Sequence, residues 1–570
     1  KANNDAALSV EGAGNTTITL KGDNTLTSGY LHAGLEHNEK SEDGSKTGKL
    51  TITSETDGKG NNTGSLKATA GDGCAAGIGS SWSTSGSYTG AGTIKIVGGD
   101  IKAIGASSAA GIGSGNGATS DTDIIISGTA KIEAESDYYG AGIGSGKGST
   151  GKTNIIIKGG TIVKAKGGSG GAGIGSGDES TGQTTVIIKD GTIENATGGD
   201  FGDGIGGGSN SNNTTVTIEG GRIETAQGGN GYGNYDGGDG IHSDGELTIS
   251  GNANIEIAQG GEGKSGGNGI YNKHGLTIEG TIGTAKGGDA TAIGKNGGDG
   301  VHIDGDHLKG NLTISGKANI GTAQGGEGKR GNGGNGIFCS SALNITSGKI
   351  AKAQGGKGTG TGGHGIHSGN FFGISGGKIT QAAGGDSTAG TGGDGIYSSQ
   401  YLGISGGTIG TAKGGAGIGG GNGIHSDDHL YIFGTAEGTA KIETAQGGSG
   451  QTAGGAGIYS KGDLSIEDGT IGSWKTDGKT PDTDTGALGG PATAGAKGGD
   501  GIHSDGEINI TGGKIVNAKG GDGTVLGDSK GRNGIYSAKK LTIGTATIGN
   551  AQGGIGKTTG GNGIHSDGDL

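Results

Sequence analysis

The chain has 570 residues, 152 of them Gly and only two Pro, and its net charge is −13. This composition excludes a collagen triple helix, which needs Pro and a Gly at every third position, and it disfavours helices, where each Gly costs about 1 kcal/mol relative to Ala. The acidic balance disfavours nucleic acid as a partner, and no apolar run reaches the roughly 20 residues of a membrane-spanning helix. Regularly spaced Ile, Leu and Val clusters argue against disorder. Cys74 and Cys339 stand far apart in the sequence, which predicts neither a disulfide nor a thiolate metal site. The chain starts without Met and stops inside a repeat at Leu570, which predicts a piece of a longer protein.

Residues 1–70 are the least regular. Short strands are expected at residues 7–10, 16–20 and 49–53, with a charged loop over 36–47, so this segment reads as an N-terminal cap or the start of a solenoid. From residue 71 onward, a core of a small residue or Asp/Asn, then Gly, then Ile recurs about every 32 residues. Its sixteen copies centre on Ile78, Ile112, Ile143, Ile174, Ile205, Ile241, Ile270, Val301, Ile337, Ile366, Ile396, Ile424, Ile458, Ile502, Ile535 and Ile564. A repeat of this length predicts an array in which each unit packs only on its neighbours.

Over residues 71–210 the copies read GIGSS, GIGSG, GIGSG, GIGSG and GIGGG. Each is followed by a Gly/Ser/Thr loop, an apolar run such as 124–126 or 155–157, a glycine corner and an Ile-containing strand such as 161–165. Over 211–570 the unit becomes G-[D/N]-G-I-[H/Y]-S, then L-T-I-S-G-G, then K-I-x-T-A-[Q/K]-G-G and a glycine loop. The spacing of Leu247 and Ile249, repeated in later units, is strand alternation. The expected fold is all-β: a parallel β-helix (β-solenoid) with three short strands per coil, about 16 coils of roughly 32 residues. About five inward apolar side chains per coil would fill it. Right-handed coils are expected, and a 4.8 Å coil spacing predicts a stack about 75 Å long. The longest gap lies between Ile458 and Ile502. There, residues 473–491, with Trp474, Pro481 and Pro491, are expected to form a loop outside the sheets.

From Ile241 on, the residue after the motif Ile alternates between His and an aromatic ring: His242, Tyr271, His302, Phe338, His367, Tyr397, His425, Tyr459, His503, Tyr536 and His565. In a parallel stack these side chains form one ladder. Alternation gives ring contacts and keeps imidazoliums apart. The first reading of this ladder is register and stability; a pH-sensitive role and a track for sugar rings are the alternatives. The third residue after the Ile tends to be acidic on the His coils (Asp244, Asp304, Asp427, Asp505, Asp567, with Gly369 breaking the run) and is Lys273 or Lys461 on two aromatic coils, which relieves like-charge repulsion. Two residues before the Ile runs a second ladder: Asp239, Asn268, Asp299, Asn335, Asp394, Asn422, Asp500, Asn533 and Asn562. Stacked Asx side chains stabilise turns or bond along the stack. Calcium held by Asp239, Asp244, Asp299, Asp304, Asp500 and Asp505 is the functional alternative.

Other motif matches carry no chemistry. GKGSTGKT over 146–153 fits a phosphate loop in letters, but β-like sequence comes after it where a helix is needed. His242, Ser243 and Asp244 are consecutive, so strand alternation forbids a catalytic relay among them. The acids are spread evenly along the repeats, and Arg occurs only at Arg222, Arg330 and Arg532, so no unique acid–base centre of a glycan-cleaving enzyme is legible.

The units GDGIHSDGELTISG (238–251) and GGNGIHSDGDL (560–570) resemble the repeats of right-handed β-helix carbohydrate-binding proteins on the surface of anaerobic Gram-positive bacteria. TITLKGDNTLTSG (17–29), GSLKATAG (64–71) and the AGIGSG copies are similar to Gly-rich surface proteins of the same bacteria. The resemblance implies an extracellular or cell-surface location and, as in some members, calcium-dependent binding of acidic plant polysaccharides, with Asp239 and Asp244 at the matching positions. The expected function is a non-catalytic structural or adhesive solenoid, a stiff surface stalk or fibre that self-associates. The alternative is a polysaccharide-binding module, with calcium as the one candidate cofactor.

Overall fold

The structure, a computed structural model, describes residues 5–40, 46–82, 89–305, 310–435, 438–494, 497–523 and 529–570. None of these residues is helical, so no helix is long and apolar enough to cross a membrane. Parallel strands stack as a β-solenoid of about 17 turns with roughly 31-residue repeats. The chain divides into two compact units, Lys1–Lys273 and His274–Leu570.

In the first unit a representative turn runs through strands Ile205–Gly206, Thr214–Ile218 and Arg222–Gln227. Each strand pairs in parallel with its counterpart one turn on, Ile205 opposite Ile241, Ile218 opposite Ile249 and Ile223 opposite Ile255. Strand alternation sends Ile205, Val216, Ile218, Ile223 and Ala226 inward, all fully buried. Like therefore stacks on like, and the interior is a set of continuous aliphatic columns. Each buried Ile or Val is worth about 1.5–3 kcal/mol relative to exposure.

Strands within the first 70 residues pair in parallel with one another or with strands of the turns that follow. Thr16–Leu20 pairs with Leu50–Ser54, Gly22–Thr27 with Gly64–Thr69, and Leu35–Glu36 with Ile78–Gly79. The strand expected at 7–10 reduces to one bridge, Ser9 to Glu36. Of the loop expected over 36–47, Glu36 is strand, and residues 41–45 lie outside the described residues.

The third strand changes once along this unit. At Ile101 and Ile132 it buries Ile and Ala two residues apart, with Ala103 and Ala134. In the next turn Ile132 opposes Ile162, but Glu133 opposes Lys164. Val163 is the extra residue of a β-bulge. Later turns keep the new spacing, with Ile193 and Ala196, Ile223 and Ala226, and Ile255 and Ala258 all buried.

The second unit repeats the plan in turns such as Ile366–Ser368, Phe372–Ile374 and Lys378–Ala383. The loop expected over 473–491 is only in part outside the sheets. Strands Thr470–Ile471 and Gly486–Leu488 both pair with Lys441–Gln446, and Ala487 lies opposite Ala445. The chain therefore leaves the sheet after Ile471 and rejoins at Gly486, inside the span expected to be loop, because Ala487 continues the inward Ala column. Trp474 and Pro481 lie in the excursion, bridged to each other.

The segments after the third strand, read from sequence as glycine loops, are hydrogen-bonded structure. In the second unit the Gly298 N–H donates to the Gly288 carbonyl (2.9 Å), Gly326 to Gly298 (2.8 Å), Gly334 to Gly326 (3.0 Å) and Gly356 to Gly334 (2.7 Å). The relay continues through Gly363, Gly385, Gly393, Gly415, Gly421, Gly448, Gly455, Gly490 and Gly499 to Gly521. Two glycine positions per turn thus pass one hydrogen bond on in a zigzag. The first unit has its own relay, from Gly140 through Gly168, Gly171, Gly199, Gly202, Gly229 and Gly238 to Gly261 and Gly267.

The backbones approach so closely that only glycine fits. A Cβ on Gly385 would overlap the Gly356 carbonyl, and one on Gly415 the Gly385 carbonyl. Gly385→Ala is therefore expected to cost about 3 kcal/mol or more and to strip amide protection from the adjoining turns in hydrogen exchange. Gly560→Ala, whose Cβ would meet only the Gly554 carbonyl at 3.7 Å, is expected to leave protection unchanged.

Candidate functional site

The outer face of the motif strand carries the most chemistry. In Ile-x-Ser, the Ile and Ser point inward and x points out, as in Ile241–Ser243 and Ile502–Ser504. Ser243 is fully buried. Its Oγ accepts the Val216 N–H at 3.0 Å and donates to the Gly245 carbonyl at 3.2 Å. A Ser–His–Asp relay is thereby ruled out, but His and Asp two residues apart do share the outer face.

The ladder has a defined start in the first unit. Gly79, Gly113, Gly144, Gly175 and Gly206 occupy position x with φ between +136° and +146°, a conformation open in practice only to glycine. His242 follows Gly206 in this column and Tyr271 follows His242, at a ring separation of 4.7 Å. In the second unit the register places His302, Phe338, His367, Tyr397, His425, Tyr459, His503, Tyr536 and His565 directly one above another. Ring separations run from 4.7 Å for His302–Phe338 to 5.8 Å for Tyr536–His565. Most pairs are tilted or edge-on, Tyr397–His425 at 65° and His425–Tyr459 at 72°. The rings thus spend their faces on one another rather than offering a flat track to a sugar.

Carboxylates bracket the imidazoles. Nδ1 faces the Asp two residues before the Ile, at 3.0 Å for His242–Asp239, 2.6 Å for His302–Asp299 and 2.8 Å for His503–Asp500. Nε2 faces the Asp two residues after the His, at 2.9 Å for His503–Asp505, 2.8 Å for His565–Asp567 and 3.6 Å for His242–Asp244. Tyr hydroxyls donate into the next turn, Tyr397 to Asp427 (2.7 Å), Tyr459 to Asp505 (2.6 Å) and Tyr536 to Asp567 (2.5 Å). Lys273 stands 4.0 Å from Asp244.

The second oxygen of the inner Asp serves the backbone. Asp239 Oδ1 accepts the Asn268 N–H at 2.6 Å, and Asp500 Oδ1 the Asn533 N–H at 2.7 Å. Asp299 and Asp394 do the same for Asn335 and Asn422. Asn335, Asn422 and Asn533 then accept the N–H of His364, Ala456 and Asn562. The expected Asx ladder is thus a side-chain-to-backbone chain along the stack. Of the residues expected to share a cation, Asp239 and Asp244 lie at opposite nitrogens of His242, and Asp500 and Asp505 at opposite nitrogens of His503. Each pair is separated by an imidazole. Asp299 contacts His302, and Asp304 is exposed.

Two features escaped the sequence reading. Asp203, in a coil whose position x is Gly206, accepts the Asp239 N–H at 2.8 Å, and its Oδ2 lies 3.3 Å from His242 Nδ1. Ligand atoms of Asp203, Asp239 and His242 all lie within 4.8 Å of one another. Burial opposes charge on His242, but the Asp203 carboxylate, the hydrogen bond to Asp239 and the nearby Asp244 carboxylate outweigh it and raise its pKa well above the ordinary value. Burial pushes Asp203 up to about 7, against the pull of the His242 charge. The triad can therefore hold a proton, or a small cation in its place.

The second feature is a slip of phase. His364 takes the Asx position in the turn of His367, and its Nδ1 accepts the Asp394 N–H at 3.0 Å. Asp394 thus falls in the turn of Tyr397 and faces His425 of the following turn at 2.9 Å. Burial works against charge on His425, but Asp394 raises its pKa above the ordinary value. Among the described residues, His367, beside His364, lacks a carboxylate partner in hydrogen-bond range; its Nε2 meets Ser399 Oγ at 3.4 Å. Burial, reinforced by His364, drives its pKa down to about 3. Cys74 and Cys339 are free, as expected, and burial raises the Cys339 thiol to about 11.

His367 makes the second unit acid-sensitive. Between about pH 6.5, where an unfolded His protonates, and its folded value near 3, the unfolded chain binds a proton that the folded one excludes. Stability therefore falls as pH falls, by about 1.4 kcal/mol per pH unit for one proton. His367→Phe, copying Phe338, is expected to lessen that slope in denaturation curves taken from pH 6.5 to 4, leaving the part that buried His364 contributes in the same direction.

Comparison of the chain with protein-family models, with curated proteins and with solved structures gave no match.

Proposed function

We propose that this chain is a non-catalytic structural β-solenoid of a bacterial cell surface, contributing to a stiff stalk or fibre. The observation that carries the proposal is the glycine relay, which runs unbroken from Gly288 to Gly521 beside the aliphatic columns of the second unit. Hydrogen bonds that continue from turn to turn resist bending and stretching everywhere, which is the property a stalk needs. Repetition supports the same reading, since catalysis calls for one distinctive centre and the His–Asp–Tyr grouping recurs along the ladder. The sequence resemblance to Gly-rich surface proteins supports the compartment. End-to-end self-association would extend the same parallel pairing.

Calcium is not needed by this proposal, because the inner oxygens of Asp239, Asp299, Asp394 and Asp500 already accept backbone N–H groups. Electron microscopy of the native material, with and without a calcium chelator, is the test. Straight rods or filaments with an axial repeat near 4.8 Å, unchanged by chelation, are the expected result. Particles that fray or collapse once calcium is removed would refute the scaffold reading in this form.

A further inference from the structure

One surface of the second unit breaks the repeat in a way the scaffold does not require. On the second strand of most turns of this unit, the outward residue between the two inward ones is a small polar residue, as in Thr313, Asn344, Ser465 and Asn509, and in one it is Tyr431. In two consecutive turns it is glycine, Gly373 and Gly403, and aromatic residues gather around them. Phe371 precedes the first of these strands, Tyr401 the second, and Tyr431 and Phe433 lie on or just after the third. All four are exposed, at 39%, 42%, 38% and 36%. These are not core residues that failed to pack, since Phe372, Leu402 and Leu430 fill the inward positions of the same strands.

The glycines shape the surface. The Phe371 ring lies across Gly373, with Cε1 2.7 Å from where a Cβ would stand, and reaches toward Gly403, with Cε2 3.6 Å from the equivalent point. A side chain at Gly373 would lift the ring off the sheet. With glycine there, Phe371 lies down and leaves a shallow trough of about 230 Å³ between itself and Tyr431 and Phe433. The polar groups of the trough are neutral, Asn344, Thr346, Ser375 and Ser405, and no Lys, Arg, Asp or Glu lines it.

From this the geometry points to a binding platform for a neutral, β-linked glycan, laid across the Phe371–Tyr431–Phe433 trough. A pyranose with equatorial hydroxyls has two C–H faces that pack on aromatic rings and a hydroxyl rim that seeks amides and hydroxyls. The trough supplies both and offers no countercharge for an acidic sugar. Three turns at 4.8 Å give the patch about 15 Å, the length of a short oligosaccharide. An extended peptide fits less well, because the strands under the trough already pair on both sides, Phe372–Ile374 with Leu343–Ile345 and with Leu402–Ile404, and leave no edge to extend. The site is separate from the His ladder, whose rings face one another.

The test is isothermal titration of the full chain with cellohexaose, comparing Phe371→Ala, Gly403→Thr and Tyr232→Ala. Gly403→Thr gives the turn the residue that Thr313 supplies elsewhere, so it fills the trough without disturbing the sheet. Tyr232, 61% exposed in the first unit, controls for the loss of any surface ring. Binding by the unaltered chain, weakened at least tenfold by the first two changes and unaffected by the third, is expected. Absence of cellohexaose binding, or binding indifferent to Phe371→Ala and Gly403→Thr, would overturn the assignment. So would sedimentation showing that Phe371→Ala abolishes self-association, since the patch would then be a contact between copies of this chain.

Discussion

The structure depends on glycine backbones that approach one another too closely for any side chain. The N–H of one turn meets the carbonyl of the last with no space for a Cβ, and the next glycine in the turn passes the bond on. A glycine in ordered structure carries an entropic cost of roughly 0.5–1 kcal/mol relative to Ala. A backbone hydrogen bond returns roughly 0.5–1.5 kcal/mol, and two relay bonds form per turn. The balance is narrow for any one glycine and favourable only because the bonds continue. This accounts for a chain with 152 Gly that is nonetheless ordered: glycine here is what allows the outer segments to be structure at all.

Parallel stacking has an electrostatic consequence as well. Every side chain has a copy of its position about 4.8 Å above and below, so any charge meets its own kind unless the sequence alternates. The ladder solves this by placing a His against carboxylates and an aromatic ring between successive imidazoles, while Tyr hydroxyls tie the outer carboxylates to the neighbouring turn. Where the alternation slips, at His364 and His367, two imidazoles come together and the surroundings push both toward neutrality.

Much of this was legible because strands write their orientation at period two. Leu247 and Ile249, or Ile124 and Ile126, announce inward columns, and the regular return of His and Tyr announces a ladder. The glycine relay was not legible, because glycine has no side chain to show which way a segment faces, and hydrogen-bonded glycine reads like loop. The bulge at Val163 was hidden for a related reason: one extra residue shifts Lys164 without changing the composition of the strand. Asp203 was missed because its coil lacks the His that marks the pattern. Phe371 was missed because only its neighbours in the stack, Gly373 and Gly403, reveal that its ring lies flat.

The bulged third strand also explains where the chain admits new material. The excursion that holds Trp474 departs between Ile471 and Ala487, the interval in which Val163 forms the bulge between Ile162 and Ala165 and in which later turns leave one residue out of the ladder, as between Ile320 and Thr322. At a bulge the ladder is already interrupted, so added residues sacrifice little pairing. The excursion folds back over the next turn, where Val516 and Asn517 become buried and Asn517 Nδ2 donates to the Thr485 carbonyl at 2.7 Å. A gap in the ladder kept in register through successive turns is therefore a row of equivalent sockets, each able to carry a graft that touches its own turn and the one beside it while the rest of the scaffold goes undisturbed.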